Sequence, residues 1–125
     1  MIRKLEGVLL STDNTKRLDK FYREVVGLKQ SGEYEMGEDG ESMFYFSKYN
    51  LYINPHSKVK GNNKMPGRHI LNFEVDDVEK ETKRLKKNKA KLVQDIYHIE
   101  GYGYIATFAD PDGNYFQLVQ VRANN

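Results

Sequence analysis

The feature that most constrains the fold is an order of predicted elements that occurs twice, about sixty residues apart. In each half a short apolar strand precedes an amphipathic helix, and three strand-like segments follow the helix. Such a repeat predicts two copies of one βαβββ unit, each with its own apolar face to bury. A chain of 125 residues is in the size range of a single domain that contains both copies.

The first copy begins with the strand-like segment LEGVLLS and continues with the helical pattern NTKRLDKFYREVVGL. Asp13 or Asn14 is the predicted N-cap of this helix, and Gly27 is the predicted stop. Three segments rich in aromatic residues, LKQSGEY, SMFYFSK and NLYINP, are predicted strands, with turns at residues 37–40 and 49–50. The apolar face of the helix has the i, i+3, i+4, i+7 spacing and consists of Leu18, Phe21, Tyr22 and Val25.

The second copy follows the polar segment PHSKVKGNNKMPG, which is predicted to be a connector. HILNFEV is a predicted strand, and Asp77 is the predicted cap of a helix that ends near Asn88, a residue that tolerates the left-handed conformation. The predicted strands KLVQDIYHI, YIATFA and YFQLVQV complete this copy. The segment DPDGN between the last two strands is typical of a hairpin turn. The apolar stripe of the second helix consists of Val78, Thr82 and Leu85.

Composition excludes several functions. The absence of cysteine excludes disulfides, thiolate metal sites and a cysteine nucleophile. The N-terminal apolar run is too short for a signal peptide or a membrane span, so we expect a soluble, unprocessed, cytoplasmic protein. Residues 80–91 hold seven Lys or Arg and one Glu. Because no aromatic residue interrupts them, this run is more typical of a solvated helix face than of a nucleic-acid site.

The strings LDKFYREVVGL, HILNFEVDDVEK and ATFADPDGNYFQLVQ, in this order, resemble the vicinal oxygen chelate superfamily. That superfamily includes glyoxalase I, extradiol dioxygenases, fosfomycin resistance proteins and bleomycin resistance proteins. The resemblance covers about residues 3–121. It implies an α+β fold in which two tandem βαβββ modules form a curled mixed sheet with a cleft. We expect one domain, 1–125, with module 1 at about 3–54, a linker at 55–67 and module 2 at about 68–122.

Metal-using members of the superfamily take one ligand from each of four strand positions, typically His or Gln, Glu, His and Glu. By resemblance these positions fall on Gly7, Tyr52, Ile70 and Gln117. Three of the four are not ordinary metal ligands, so we expect no metal and no other cofactor. His69 lies one residue before the third position, and a one-residue offset turns a strand side chain to the opposite face.

The expected function is therefore metal-independent binding of an aromatic or amphipathic small molecule, with the Gln117 amide orienting the ligand in the cleft. The alternative is a lyase or dioxygenase with a degenerate divalent-metal site at His69 and Gln117. A second alternative is binding of an acidic partner or nucleic acid through the Lys-rich helix 78–91. The resemblance also implies a homodimer, and the sequence predicts no membrane partner. The candidate ligand-binding residues are Leu9, Tyr52, Asn54, Asn72, Tyr102, Tyr115 and Gln117.

Overall fold

A computed structural model describes residues 1–36 and 41–121, with the side chain of Met36 excepted. The chain separates into two compact units, residues 1–61 and 62–125. The predicted turn at residues 37–40 lies outside the described residues. The strands of the first unit are β1 Val8–Thr12, β2 Gly32–Met36, β3 Glu41–Phe46 and β4 Leu51–Pro55, and those of the second are β5 Leu71–Glu74, β6 Lys91–Ile99, β7 Gly103–Ala109 and β8 Tyr115–Val121.

Each unit has the order βαβββ, so the α+β class and the tandem repeat are confirmed. The sheet orders are β1-β4-β3-β2 and β5-β8-β7-β6. In both sheets the first and last strands of the unit pair in parallel, and the remaining pairs are antiparallel. The helices are α1 Thr15–Lys20, which continues as a π-helical segment at Phe21–Val26, and α2 Val78–Lys87. In the described part of the chain, no helix has the length and apolarity that crossing a membrane requires.

The cap residues begin both helices as the sequence predicts. The side chain of Asn14 accepts a hydrogen bond from the Arg17 backbone N–H at 3.1 Å, and Asp77 does the same for Lys80 at 3.1 Å. These bonds satisfy backbone donors that have no partner within the first helical turn. Gly27 ends the first helix with φ of 94°.

Two helix details differ from the sequence prediction. The π-helical segment moves the buried apolar positions of the first helix to Leu18, Tyr22 and Val26, a spacing of four residues. A π turn is wider than an α turn, so it keeps these positions on one face. The second helix ends at Lys87, but Asn88 has φ of −87°, and Lys89 is the left-handed residue with φ of 65°.

The core of the second unit lies between its sheet and α2. Phe108, Phe116 and Leu118 are buried on the strands, and Val78 and Leu85 are buried on the helix. The equivalent core of the first unit is also built on alternate strand residues, as expected from strand geometry. Val8 on β1 lies outside this core and is 36% exposed. The buried apolar strand residues of the first unit are Phe44, Phe46, Leu51 and Ile53.

Thr82 is the one described side chain whose buried polar atom lacks a hydrogen-bond partner, and it lies on α2 with 2% exposure. We expect Thr82→Val to raise the free energy of unfolding by about 1 kcal/mol, because it removes an unsatisfied buried hydroxyl at nearly constant volume. Urea denaturation measures this change. Thr12→Val is the matched control, since Thr12 is equally buried but its hydroxyl accepts from the Asn14 N–H at 3.1 Å. Equal destabilisation of both variants would contradict the prediction.

Candidate functional site

The second unit contains a pocket of about 550 Å³ on the sheet face opposite α2. Phe116 and Leu118 face the helix, so Tyr115, Gln117 and Val119 face the other way. The volume is in the range of small-molecule sites in proteins. We call this cavity the amide pocket; its lining residues are Gly67, Ile70, Val93, Gln94, Tyr97, Thr107, Tyr115 and Gln117.

A row of polar side chains crosses the sheet at this pocket. The strand registers pair Asn72 with Gln117, Gln117 with Thr107, and Thr107 with Gln94. The Gln117 amide nitrogen donates to the Thr107 hydroxyl at 3.0 Å. Thr107 is 5% exposed, so this bond satisfies a buried hydroxyl and fixes the direction of the glutamine side chain. The Gln117 carbonyl oxygen remains available to accept a hydrogen bond from a ligand.

Two irregularities in strand β6 bring further side chains to the pocket. The register with β7 shifts between Leu92 and Gln94 and again between Gln94 and Tyr97. Because a bulge inserts an unpaired residue, it changes which side chains reach a given face. Val93, Gln94 and Tyr97 therefore line the amide pocket although strict alternation does not place all three on one face. The sequence pattern gave no indication of Val93 and Gln94 for this reason.

The connector that precedes β5 forms part of a second cavity. This cavity of about 440 Å³ is lined by Met65, Pro66, Gly67, Arg68 and Tyr115, and we call it the Arg68 pocket. Gly67 and Tyr115 also line the amide pocket, so the two cavities adjoin. The connector was predicted only as a link between the modules, and its polar composition gave no indication of a site.

The turn before β8 holds the connector in place. An Asp110 carboxylate oxygen accepts from the backbone N–H groups of Asp112 and Asn114, both at 2.9 Å, and Gly113 has φ of 81°. The Asn63 backbone N–H donates to the Asp112 carbonyl at 2.7 Å, and its side-chain amide donates to the Asn114 side chain at 2.9 Å. The DPDGN segment therefore has the structural role that its sequence predicts, and it also anchors the connector beside Tyr115.

The first unit has an aromatic surface on the face opposite its core. Tyr52 and Tyr45 are paired across β4 and β3, and their rings stack with centroids 4.6 Å apart. The Tyr52 hydroxyl donates to the Glu6 carboxylate. This hydrogen bond, with some desolvation, raises the pKa of the Tyr52 phenol above its ordinary value, because it stabilises the protonated form beside a negative charge. Leu9 lies next to Tyr52 across the parallel pair and is 58% exposed.

The other predicted ligand-binding residues lie at separate places in the two units. Asn54 donates its side-chain amide to the Pro55 carbonyl at 3.0 Å. Asn72 is exposed and lies beside Gln117 in the register. Tyr102 is 40% exposed in the turn between β6 and β7 and does not line the amide pocket, whereas Tyr97 does. Tyr115 lines both cavities of the second unit.

The residues at the four superfamily ligand positions do not fit a metal ion. Gly7 and Ile70 have no donor atom. The Tyr52 hydroxyl donates to Glu6, whereas a metal ligand would be the phenolate. Gln117 could contribute only its carbonyl oxygen, because its amide nitrogen donates to Thr107, and one carbonyl donor does not supply the ligand count that a metal site needs. His69 is exposed and is absent from the lining of both cavities. Within residues 1–36 and 41–121 no group of three or more His, Cys, Asp or Glu side chains is arranged to hold a metal.

Comparison with known protein families shows which superfamily has this architecture. The sequence profile of the Glyoxalase/Bleomycin resistance protein/Dioxygenase superfamily matches residues 4–118. The chain belongs to this superfamily. The resemblance inferred from the repeated strand and helix motifs is thereby confirmed, and so is the glyoxalase-like fold. A search of curated protein sequences gives no significant match.

Solved structures of this superfamily superpose over nearly the whole chain. TnmS3, an antibiotic binding protein from a Streptomyces species, has a TM-score of 0.70 and 21% identity over 97% of this chain and 98% of that chain. FosX, a fosfomycin resistance protein of Listeria monocytogenes complexed with Mn(II) and sulfate, has a TM-score of 0.74 and 16% identity over 98% and 93%. A glyoxalase I mutant from Zea mays has a TM-score of 0.79 and 21% identity over 97% of this chain and 46% of that chain. At these identities the likeness shows the fold alone.

The Lys-rich helix has part of its charge paired within the unit. Arg84 contacts Glu81 at 2.8 Å, and Lys86 contacts Asp95 on β6 at 3.4 Å. The apolar side of the helix, Val78, Thr82 and Leu85, is buried against the sheet as predicted. The remaining lysines are exposed, as expected for a solvated helix face.

Proposed function

We propose that the protein binds an aromatic or amphipathic small molecule in the amide pocket without a metal ion. The observation that carries this proposal is the bonded Gln117–Thr107 pair inside a cavity with apolar walls. Ile70, Val93 and Tyr97 supply apolar area, and the glutamine amide supplies a fixed polar contact. Concave sites with mostly apolar linings and a few placed polar groups are typical of small-molecule binding.

The superfamily relatives support binding as one established use of the fold. TnmS3 is described as an antibiotic binding protein, whereas FosX is described in a complex with Mn(II). The alternative for this chain is a metal-dependent lyase or dioxygenase that uses His69 and Gln117. The exposed position of His69 outside both cavities favours the binding proposal over this alternative. The single domain 1–125 with a linker at 55–67 remains a prediction, and so does the homodimer, which light scattering of the purified chain tests.

Two measurements test the proposal together. Calorimetry on chelator-treated, untagged protein, titrated with zinc, nickel, manganese and ferrous iron, is expected to show no saturable site. Thermal-shift screening with aromatic and amphipathic compounds is expected to find ligands that raise the melting temperature, since a ligand that binds only the folded state stabilises it. One metal site per chain at micromolar affinity would overturn the metal-independent proposal and favour the enzyme alternative.

For any ligand found by screening, we expect Gln117→Ala to weaken binding by about 1 to 2 kcal/mol, because a buried hydrogen bond to the ligand is lost. Titration calorimetry measures this loss. Gln120→Ala is the matched control on the same strand, because the Gln120 side chain accepts from the Val78 N–H at 3.0 Å and lies outside the pocket lining. The control is expected to lower stability and leave affinity unchanged. Equal affinities for Gln117→Ala and the unmodified protein would place the ligand elsewhere.

A further inference from the structure

The adjoining cavities of the second unit differ in charge. The amide pocket is lined only by uncharged side chains, whereas Arg68 belongs to the lining of the neighbouring cavity. No carboxylate lines either cavity among the residues that the structure describes. Among the described residues, the two linings have in common Gly67, which has no side chain, and Tyr115. A molecule that extends from the amide pocket into the adjoining cavity therefore passes Tyr115 and enters the cavity that Arg68 lines.

The Arg68 side chain is free to meet a ligand. It is exposed, and within the described chain no acidic side chain pairs with it. Two other arginines illustrate the contrast, since Arg84 on α2 pairs with Glu81, and Arg23 on the π-helical segment pairs with Asp19. A guanidinium group has five N–H donors in a planar arrangement that suits carboxylate, sulfonate or phosphate oxygens.

The backbone that carries Arg68 is fixed by hydrogen bonds. Asn63 is tied to the turn before β8 through Asp112 and Asn114, as described above. The Asn63 side-chain oxygen accepts from the Met65 N–H at 2.9 Å, and the Arg68 N–H donates to the Met65 carbonyl at 3.0 Å. Pro66 restricts the backbone further within this turn. The start of the Arg68 side chain is thus held beside Tyr115 before any ligand arrives, which reduces the ordering cost of binding.

From these observations we infer that the ligand is an amphipathic anion. Its aromatic or apolar body occupies the amide pocket, and its acidic group reaches Arg68 across Gly67 and Tyr115. This inference rests on the proposed function, because it assigns the chemical class of the ligand for the same site. It also makes Arg68 a specificity-determining residue, one that selects the charge of the ligand while Gln117 orients the body.

The test uses two fluorescent probes that differ by one charged group. 8-Anilinonaphthalene-1-sulfonate and N-phenyl-1-naphthylamine have the same ring system, and only the first has a sulfonate. Fluorescence titration is expected to show that Arg68→Gln weakens binding of the sulfonate probe about fivefold to tenfold, as for loss of a charge-assisted hydrogen bond in a solvent-accessible site. Binding of the neutral probe is expected to stay within about twofold, and Arg68→Lys should retain part of the preference.

Lys83→Gln is the matched control, because it removes one positive charge from the exposed side of α2 on the opposite face of the same sheet. It is expected to leave both probes unaffected. If Arg68→Gln alters neither probe, alters both equally, or matches Lys83→Gln, the anion inference is overturned, while binding that is lowered by Gln117→Ala still supports the proposed function. If the unmodified protein binds neither probe, the proposed pocket and the inference both fail.

Discussion

Phe116→Ala is expected to lower the free energy of unfolding by about 3 to 5 kcal/mol, the largest effect of any variant considered for this chain. Phe116 is fully buried between the sheet and α2. Its ring stacks on Phe108 with centroids 5.8 Å apart and meets Phe73 edge-on at 6.2 Å. Removing the ring leaves a cavity and breaks both aromatic contacts, each of which adds about 0.5 to 1.5 kcal/mol beyond buried area.

The neighbouring variant Gln117→Ala provides the comparison. It removes one hydrogen bond to Thr107 and creates no core cavity, so its expected cost is about 1 kcal/mol. The two adjacent positions thus separate stability from binding: position 116 governs folding, and position 117 governs the ligand. Urea denaturation of both variants, monitored by tyrosine fluorescence and circular dichroism, measures the difference. Similar losses of stability in the two variants would contradict the assignment of Phe116 to the core face of β8 and of Gln117 to the pocket face.

This pair also shows why much of the fold was predictable. In β8 the apolar and polar residues alternate from Tyr115 to Leu118 together with burial, and the residues 115–121 were predicted as the strand that the structure contains. The same local information placed the cap Asp77 and limited the first cap to Asp13 or Asn14, because capping depends on residues three positions apart. Such features are determined by near neighbours in the sequence. The repeated order of strands and helices was predicted from these local features taken together.

The parts of the site that were not predicted depend on distant contacts. The Tyr52–Glu6 hydrogen bond joins residues 46 positions apart, and nothing local to either residue indicates it. The shifts in β6 depend on pairing with β7, so a strictly alternating pattern does not locate Val93 or Gln94. Arg68 reaches its cavity because Asn63 bonds to a turn about fifty residues later. In each case tertiary pairing, rather than local preference, determines which side chains line the site.

Substitution at Gly7 is expected to have the second largest effect, a loss of about 2 to 3 kcal/mol for Gly7→Ala. A Cβ atom at this position would lie 2.7 Å from the Asn50 carbonyl oxygen and 2.8 Å from the Tyr52 ring. The Asn50 carbonyl also accepts from the Val8 N–H at 2.9 Å, so a backbone shift would disturb the start of the β1–β4 pairing. Gly67→Ala is the control, because no atom lies within 4 Å of its added Cβ, and its expected change is within about 0.5 kcal/mol.

Gly7→His tests whether one substitution restores metal binding, because it places a histidine at the first superfamily ligand position. The imidazole must displace the Tyr52 ring that packs against Gly7, and the third position would still be Ile70, which has no donor atom. We therefore expect Gly7→His to be at least as destabilised as Gly7→Ala and to gain no saturable zinc or manganese site by calorimetry. A folded Gly7→His protein with micromolar metal affinity would show that one substitution restores metal binding. If Gly7→Ala is as stable as the unmodified protein, the Tyr52 ring does not stay close to Gly7.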